Sequence, residues 1–92
     1  MKFVLNKCFG GFSLSNHICV CLQCDPYDYC DYERRNDPML VTFVEGMDEW
    51  ANGRCAKLEV IEIPDTATDW EINDYDGYET LIYVVDGKLR HA

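Results

Sequence analysis

Five side chains able to ligate a metal or act as nucleophiles crowd into the fourteen residues from His17 to Cys30: His17, Cys19, Cys21, Cys24 and Cys30. Cys21 and Cys24 stand in Cys-x-x-Cys spacing. A zinc site needs four such ligands converging tetrahedrally. No second Cys-x-x-Cys follows, and a helix over Asn16–Gln23 would turn Cys19 and Cys21 to different sides. The weight falls on thiols that pack as small hydrophobes, with a small metal or redox protein as the outlying alternative. Cys8 and His17 would need a third group to orient the base before they could act as a nucleophilic pair, and the sequence points to none. Neither an enzyme nor a bound cofactor is expected.

A second chemistry lies near the start of the chain. A short strand, Gly10-Gly11 and the beginning of a helix suggest the geometry that holds anions on backbone N–H groups. Asn6, Ser13 and Ser15 would add hydrogen bonds, so Asn6, Gly10, Gly11, Ser13 and Ser15 form a candidate site for a phosphate-bearing signalling nucleotide. Gly-Gly is also ordinary turn chemistry, and the acidity around it opposes a phosphate.

That acidity is the third candidate. The chain carries a net charge of -9, and Glu59–Asp86 holds nine acids and no Lys or Arg. Asp69, Glu71, Asp74, Asp76 and Glu79 gather near Asp76-Gly77, with Tyr75 and Tyr78 among them. A second set, Asp25, Asp28, Asp31 and Glu33, is mixed with Tyr27, Tyr29 and Tyr32. Glycoside hydrolysis by paired carboxylates needs a cleft that a short chain scarcely builds, and no calcium-loop pattern is present. What remains is electrostatics: a field that repels nucleic acid and anionic membrane and attracts basic surfaces. Tyrosine adds contact area at low entropy cost. The competing reading is a solvated face that keeps a small domain soluble.

The elements that must position these groups follow from punctuation and periodicity. Lys2–Lys7 reads as a strand and Asn16–Gln23 as a short helix capped by Ser13 or Ser15. Asp25–Asn36 reads as a long loop, with Tyr27–Tyr32 as an alternative edge strand. Asp37-Pro38 opens a helix in which Leu40, Val44, Met47 and Ala51 keep helical spacing up to Asn52-Gly53. Lys57–Ile63 reads as a two-faced strand, and Asp76-Gly77 and Asp86-Gly87 as hairpin turns between the last strands. The expected fold is α+β in one domain, 1–92: an antiparallel or mixed sheet of four to five strands, its first strand pairing with Lys57–Ile63, with two helices on one face. A chain of 92 residues with 48% apolar content can bury a modest core, about two-thirds of its unfolded surface. No signal peptide or bilayer-length apolar run is visible, so a cytoplasmic setting with reduced thiols is expected.

Two stretches carry a family resemblance. Phe3-Val4-Leu5-Asn6-Lys7-Cys8-Phe9-Gly10-Gly11-Phe12-Ser13-Leu14-Ser15 resembles the opening of a family of small phage and prophage proteins of unsettled activity. Arg35–Val41, Leu58–Asp65 and Trp70–Glu79 are similar to the rest of it, in matching order. The Cys-rich helix and the end after Glu79 depart from the pattern, so nothing transfers to them. The resemblance implies an anti-defence role, of the kind that anti-CRISPR inhibitors play in a host cell.

The leading expectation is therefore a non-catalytic acidic inhibitor of a basic, nucleic-acid-handling host protein such as a CRISPR effector or restriction enzyme. It would bind through Asp25, Asp28, Asp31, Glu33, Asp69, Glu71, Asp74, Asp76, Glu79, Tyr75 and Tyr78, by nucleic-acid mimicry. No direct contact with nucleic acid or membrane is expected, and uncovered strand edges are compatible with a homodimer. The nucleotide sponge is the alternative.

Overall fold

Three apolar residues in a row, Phe3-Val4-Leu5, explain most of the architecture. In the computed structural model, which describes residues 1–92, Lys2–Asn6 forms strand β1. Alternate side chains of a strand face opposite ways, so β1 serves two cores. Val4 joins Phe12, Leu14, Ile18, Leu40, Val44 and Leu58 in one. Phe3 and Leu5 join Ile63, Ile72 and Leu81 in the other. β1 pairs antiparallel with β2, Leu58–Glu62, in the register Lys2↔Glu62 to Asn6↔Leu58.

The helices cover the Val4 side. In α1, Asn16–Leu22, the Ser15 hydroxyl accepts from the Ile18 N–H, and Ile18 is the one buried residue. The helix ends at Gln23 in the left-handed region, φ 53, and the N–H groups of Gln23 and Cys24 both reach the Cys19 carbonyl. This is the closure that usually employs glycine. In α2, Pro38–Met47, the Asp37 carboxylate accepts from the Met39 N–H and Pro38 occupies the first turn, as the sequence predicts. Leu40, Val41 and Val44 bury. The helix does not run on to Ala51: Asp48 takes φ 51, and Asp48–Ala51 winds as a short 3-10 helix. The Ala51 carbonyl is thereby turned to accept from the Ser15 N–H, and Asn52 bridges to Leu14.

The rest of the chain is a meander. β3 is Asp69–Tyr75, β4 Tyr78–Val85 and β5 Lys88–His91. At both predicted turns the two central residues have positive φ, Asp76 51° and Gly77 90°, then Asp86 53° and Gly87 72°. These are the type I′ requirements.

The α+β expectation holds, but the five strands form two antiparallel sheets, β1-β2 and β3-β4-β5, and not one. The helices lie on the two-stranded sheet, and the meander closes its other face. The break has a physical cause at the free edge of β1. The Val4 N–H donates to the Arg35 carbonyl (2.9 Å), the Val4 carbonyl accepts from Arg35 Nη1 (3.3 Å), and the Asn6 N–H donates to Glu79 Oε1 (2.7 Å). A loop and two charged side chains satisfy the groups that a neighbouring strand would have paired. The Asp25–Asn36 stretch forms turns and a 3-10 helix, Tyr32–Arg34, and the alternative edge strand at Tyr27–Tyr32 does not form. No helix is long and apolar enough to cross a membrane.

Candidate functional site

The tip of the β3–β4 hairpin gathers acids and rings on a stiff frame. Tyr75 and Tyr78 are cross-strand partners on either side of the Asp76-Gly77 turn. Phe9 seats against both, its ring centroid 6.5 Å from Tyr75 and 5.4 Å from Tyr78. Phe9 and Tyr75 stay 66% and 74% exposed, more than any packing role needs. Lys7 Nζ sits 5.2 Å over the Tyr78 ring and donates to the Glu79 carbonyl. Asp74 Oδ1 accepts from the Gly77 N–H at 2.9 Å, so this carboxylate also holds the turn.

The tip rests on the chain start through glycine. A Cβ on Gly77 would come within 2.4 Å of the Gly11 nitrogen, and one on Gly10 would meet the Cys55 carbonyl at 1.9 Å. Asn6 Nδ2 donates to the carbonyls of Cys8 and Gly77, while its Oδ1 accepts from the Lys57 N–H. Gly10-Gly11 is thus a close-packing device. The predicted nucleotide cradle does not assemble: Asn6 is buried with its amide committed, Gly10 and Gly11 lie against Cys55 and Gly77, and Ser15 caps α1. Ser13 and Ser15 face a separate cavity.

One buried ion pair fastens the Tyr-rich loop to the hairpin. Arg35 and Glu79 are each 1% exposed. Both guanidinium Nη atoms donate to the two carboxylate oxygens, Nη2 to Oε2 at 2.7 Å. Arg35 Nε donates to the Tyr29 carbonyl and Nη2 to that of Cys30, and the guanidinium lies 3.7 Å over the Phe12 ring. Every polar atom of the pair is engaged, which is the condition for a buried pair to be tolerated. Glu79 therefore leaves the set of surface carboxylates: it is a clamp, and no partner can touch it. No local signal in the sequence marks Arg35 for this role, since its partner lies 44 residues away.

The clamp brings Tyr32 beside the tip. Burial raises its phenol above the usual value, with Asp74 and Glu79 adding to the effect. Tyr32 and Asp74 thus lie on the Glu79 side of the hairpin, Phe9 groups with Tyr75 and Tyr78, whose strand positions face the other way, Asp76 stands at the turn, and Asp31 is exposed just before Tyr32. The other candidates lie elsewhere. Asp69 and Glu71 sit toward the far end of β3, Asp69 about 20 Å from Tyr75 at a strand's rise per residue. Glu71 shares the outer face with Tyr75, whereas Asp74 shares the face of Glu79. Asp25 and Asp28 lie beyond the end of α1, lining a cavity of about 510 Å³ with Cys19 and Cys24. Asp28 accepts from the Asp25 N–H and so shapes its own turn. Glu33 is exposed on the 3-10 helix. The acidic array is distributed, with its densest aromatic company at the hairpin tip.

The thiols offer little chemistry. All six cysteines are free, and no three His, Cys, Asp or Glu side chains are grouped to hold a metal. Burial pushes the Cys19 thiol up to about 11, with Cys24, Asp25 and Asp28 adding to it. Cys24 and Cys30 are raised mainly by burial too. The thiolate is the reactive form, so these groups are quiet at neutral pH. Cys8 donates to the Cys55 carbonyl, and His17 stacks on Trp50 with centroids 5.5 Å apart. Compared with protein-family models, curated proteins and solved structures, the chain matches none.

Proposed function

We propose that the chain is a non-catalytic binding protein whose hairpin tip docks into a basic groove of a nucleic-acid-handling protein. The observation that carries this reading is the company of charge and rings at one hairpin tip: Phe9 and Tyr75, largely exposed and in edge contact, with the exposed Asp74 and Asp76 on either side of Tyr75 in the chain. Exposed aromatics held rigidly at the centre of a patch are the usual anchors of an interface, and carboxylates around them steer basic partners. The phage-family resemblance of Phe3–Ser15 and Trp70–Glu79 makes a host defence enzyme the class of partner, with the acids standing where a nucleic-acid backbone would.

The test is capture from a host lysate on immobilised protein at low and high salt, with Asp76→Lys and Tyr75→Ala beside the wild type. The reading expects a basic protein retained at low salt, released at high salt and lost with either variant. Retention by both variants at wild-type level would overturn it. Asp74→Asn is the cleaner charge probe at that position, since it keeps an oxygen for the Gly77 N–H.

A further inference from the structure

One concave region of this acidic molecule is free of carboxylates. A cavity of about 400 Å³ is bounded by Ser13, Ser15, His17 and Tyr27 on one side and Asn52 and Arg54 on the other. None of its ten lining residues is Asp or Glu, in a chain that has 17 of them. The size falls within the usual range of small-molecule sites, about 300–1,000 Å³. The larger cavity beside Cys19 carries Asp25 and Asp28 and would repel an anion.

The polar groups here are unspent. Ser13 is only 7% exposed, yet its hydroxyl has no hydrogen-bond partner within the chain. No fully enclosed polar side-chain atom of the protein lacks a partner, so this hydroxyl keeps access to solvent beside Gly53, at a residue that lines the cavity. Asn52 uses Oδ1 to accept from the Leu58 N–H, which leaves its amide N–H₂ to donate. Arg54 is exposed and takes part in none of the three ion pairs, whereas Arg35 is consumed by Glu79 and Arg34 by Tyr29 and the Asp28 carbonyl. Flat surfaces flank these donors: Tyr27 is 69% exposed, and His17 lies on Trp50, itself 70% exposed.

We propose that this cavity binds a mononucleotide, an anionic phosphate joined to a planar base. Arg54 takes the phosphate through its forked N–H groups, the Ser13 hydroxyl and the Asn52 amide donate to the remaining oxygens, and the base lies against Tyr27 and His17, with Trp50 behind the imidazole. The site is independent of the hairpin tip and shares no residue with it. It differs from the Gly10-Gly11 cradle that the sequence suggests: two of the same serines line the cavity, but the cation and the rings come from elsewhere in the chain.

The experiment titrates the full chain with AMP, GMP, CMP and UMP, and with adenosine and inorganic phosphate as separate arms. Calorimetry, tryptophan fluorescence and melting temperature are the readouts. The expected result is saturable binding of at least one nucleotide, with quenched tryptophan emission and a raised melting temperature, since a ligand bound only to the folded state stabilises it. Arg54→Gln, an exposed position, should weaken that binding about tenfold or more, and Ser13→Ala should weaken it as well. Absence of saturable binding by all four nucleotides overturns the proposal. So does an Arg54→Gln variant of wild-type affinity, or affinity for adenosine or phosphate alone equal to that for the nucleotide.

Discussion

The hairpin tip and the Ser13–Arg54 cavity are built on opposite principles. The tip is convex: its rings project, its carboxylates are exposed, and its nearby cations are already engaged, Lys7 over Tyr78 and on the Glu79 carbonyl, Arg35 on the Glu79 carboxylate. The cavity is concave, lined by donors and without a carboxylate. A net charge of -9 describes the whole and neither part. The lesson is that a global field predicts the sign of a long-range partner, while the lining of a local hollow sets what can settle there.

The two regions also differ in what holds them. The tip depends on the Arg35–Glu79 clamp, whereas the cavity is walled by backbone bonds such as Gly53 N–H to the Ser13 carbonyl at 3.0 Å. The largest expected effect therefore comes from breaking the clamp. Glu79→Ala leaves a buried guanidinium unpaired and should cost about 3–5 kcal/mol in chemical denaturation, a large part of a small domain's usual total of about 5–15 kcal/mol. Replacing both partners, Arg35→Met with Glu79→Leu, should cost less than the sum of the two single changes in the same denaturation series, because the orphaned charge is gone although the Asn6 N–H and the Tyr29 carbonyl stay unpaired. Additive losses would mean that the pair is not the unit of stability.

Next in size is an effect on binding alone. Tyr75→Ala or Phe9→Ala should lower partner affinity by about 2 kcal/mol, roughly thirtyfold. Stability should stay within about 0.5 kcal/mol of wild type, since both side chains are largely exposed. A thermal shift as large as that of the clamp variants would make the rings structural.

The thiols give a smaller, pH-dependent effect. The exposed Cys21 and Cys55 should be alkylated first at neutral pH, and Cys19 about a hundredfold more slowly than an unperturbed thiol, as its thiolate fraction falls tenfold per pKa unit. Peptide mass spectrometry after timed labelling reads this out. The sign of the linkage follows. Because the folded value of Cys19 is raised from 9.0 to about 11, its contribution to stability is complete below pH 9.0 and is lost as pH rises toward about 11. The smallest effect is expected at Asp65, whose exposed carboxylate accepts from the Met1 ammonium and is held below its ordinary 3.8. Its contribution is present above pH 3.8 and fades as pH falls through the lowered value, so Asp65→Asn should flatten the acid limb of a melting-temperature profile by a barely measurable amount.

Much of the fold was legible where the determinants are local. Asp37-Pro38, Asp76-Gly77 and Asp86-Gly87 announce a cap and two turns by chemistry that acts within a few residues. The short apolar run Phe3-Val4-Leu5 announces a strand, but that its alternate side chains serve two cores becomes visible only in the fold. What escaped the sequence depends on distant partners. Glu79 looks like one more carboxylate of an acidic hairpin until Arg35, 44 residues earlier, is seen closing on it. The same pair divides the expected sheet in two. The cavity escaped for a similar reason: Ser13 and Arg54 meet only because the chain returns at Gly53 to the Ser13 carbonyl.

The measurement that bears most directly on the central claim is a backbone-amide NMR titration of the full chain with the captured basic partner. The account predicts that perturbed amides concentrate at Phe9, Tyr32 and Asp74–Tyr78 and recede as salt is raised. Perturbations centred on the outer face of β4–β5, or spread evenly over Asp25, Glu33, Asp69 and Glu71 with the tip unmoved, would contradict it.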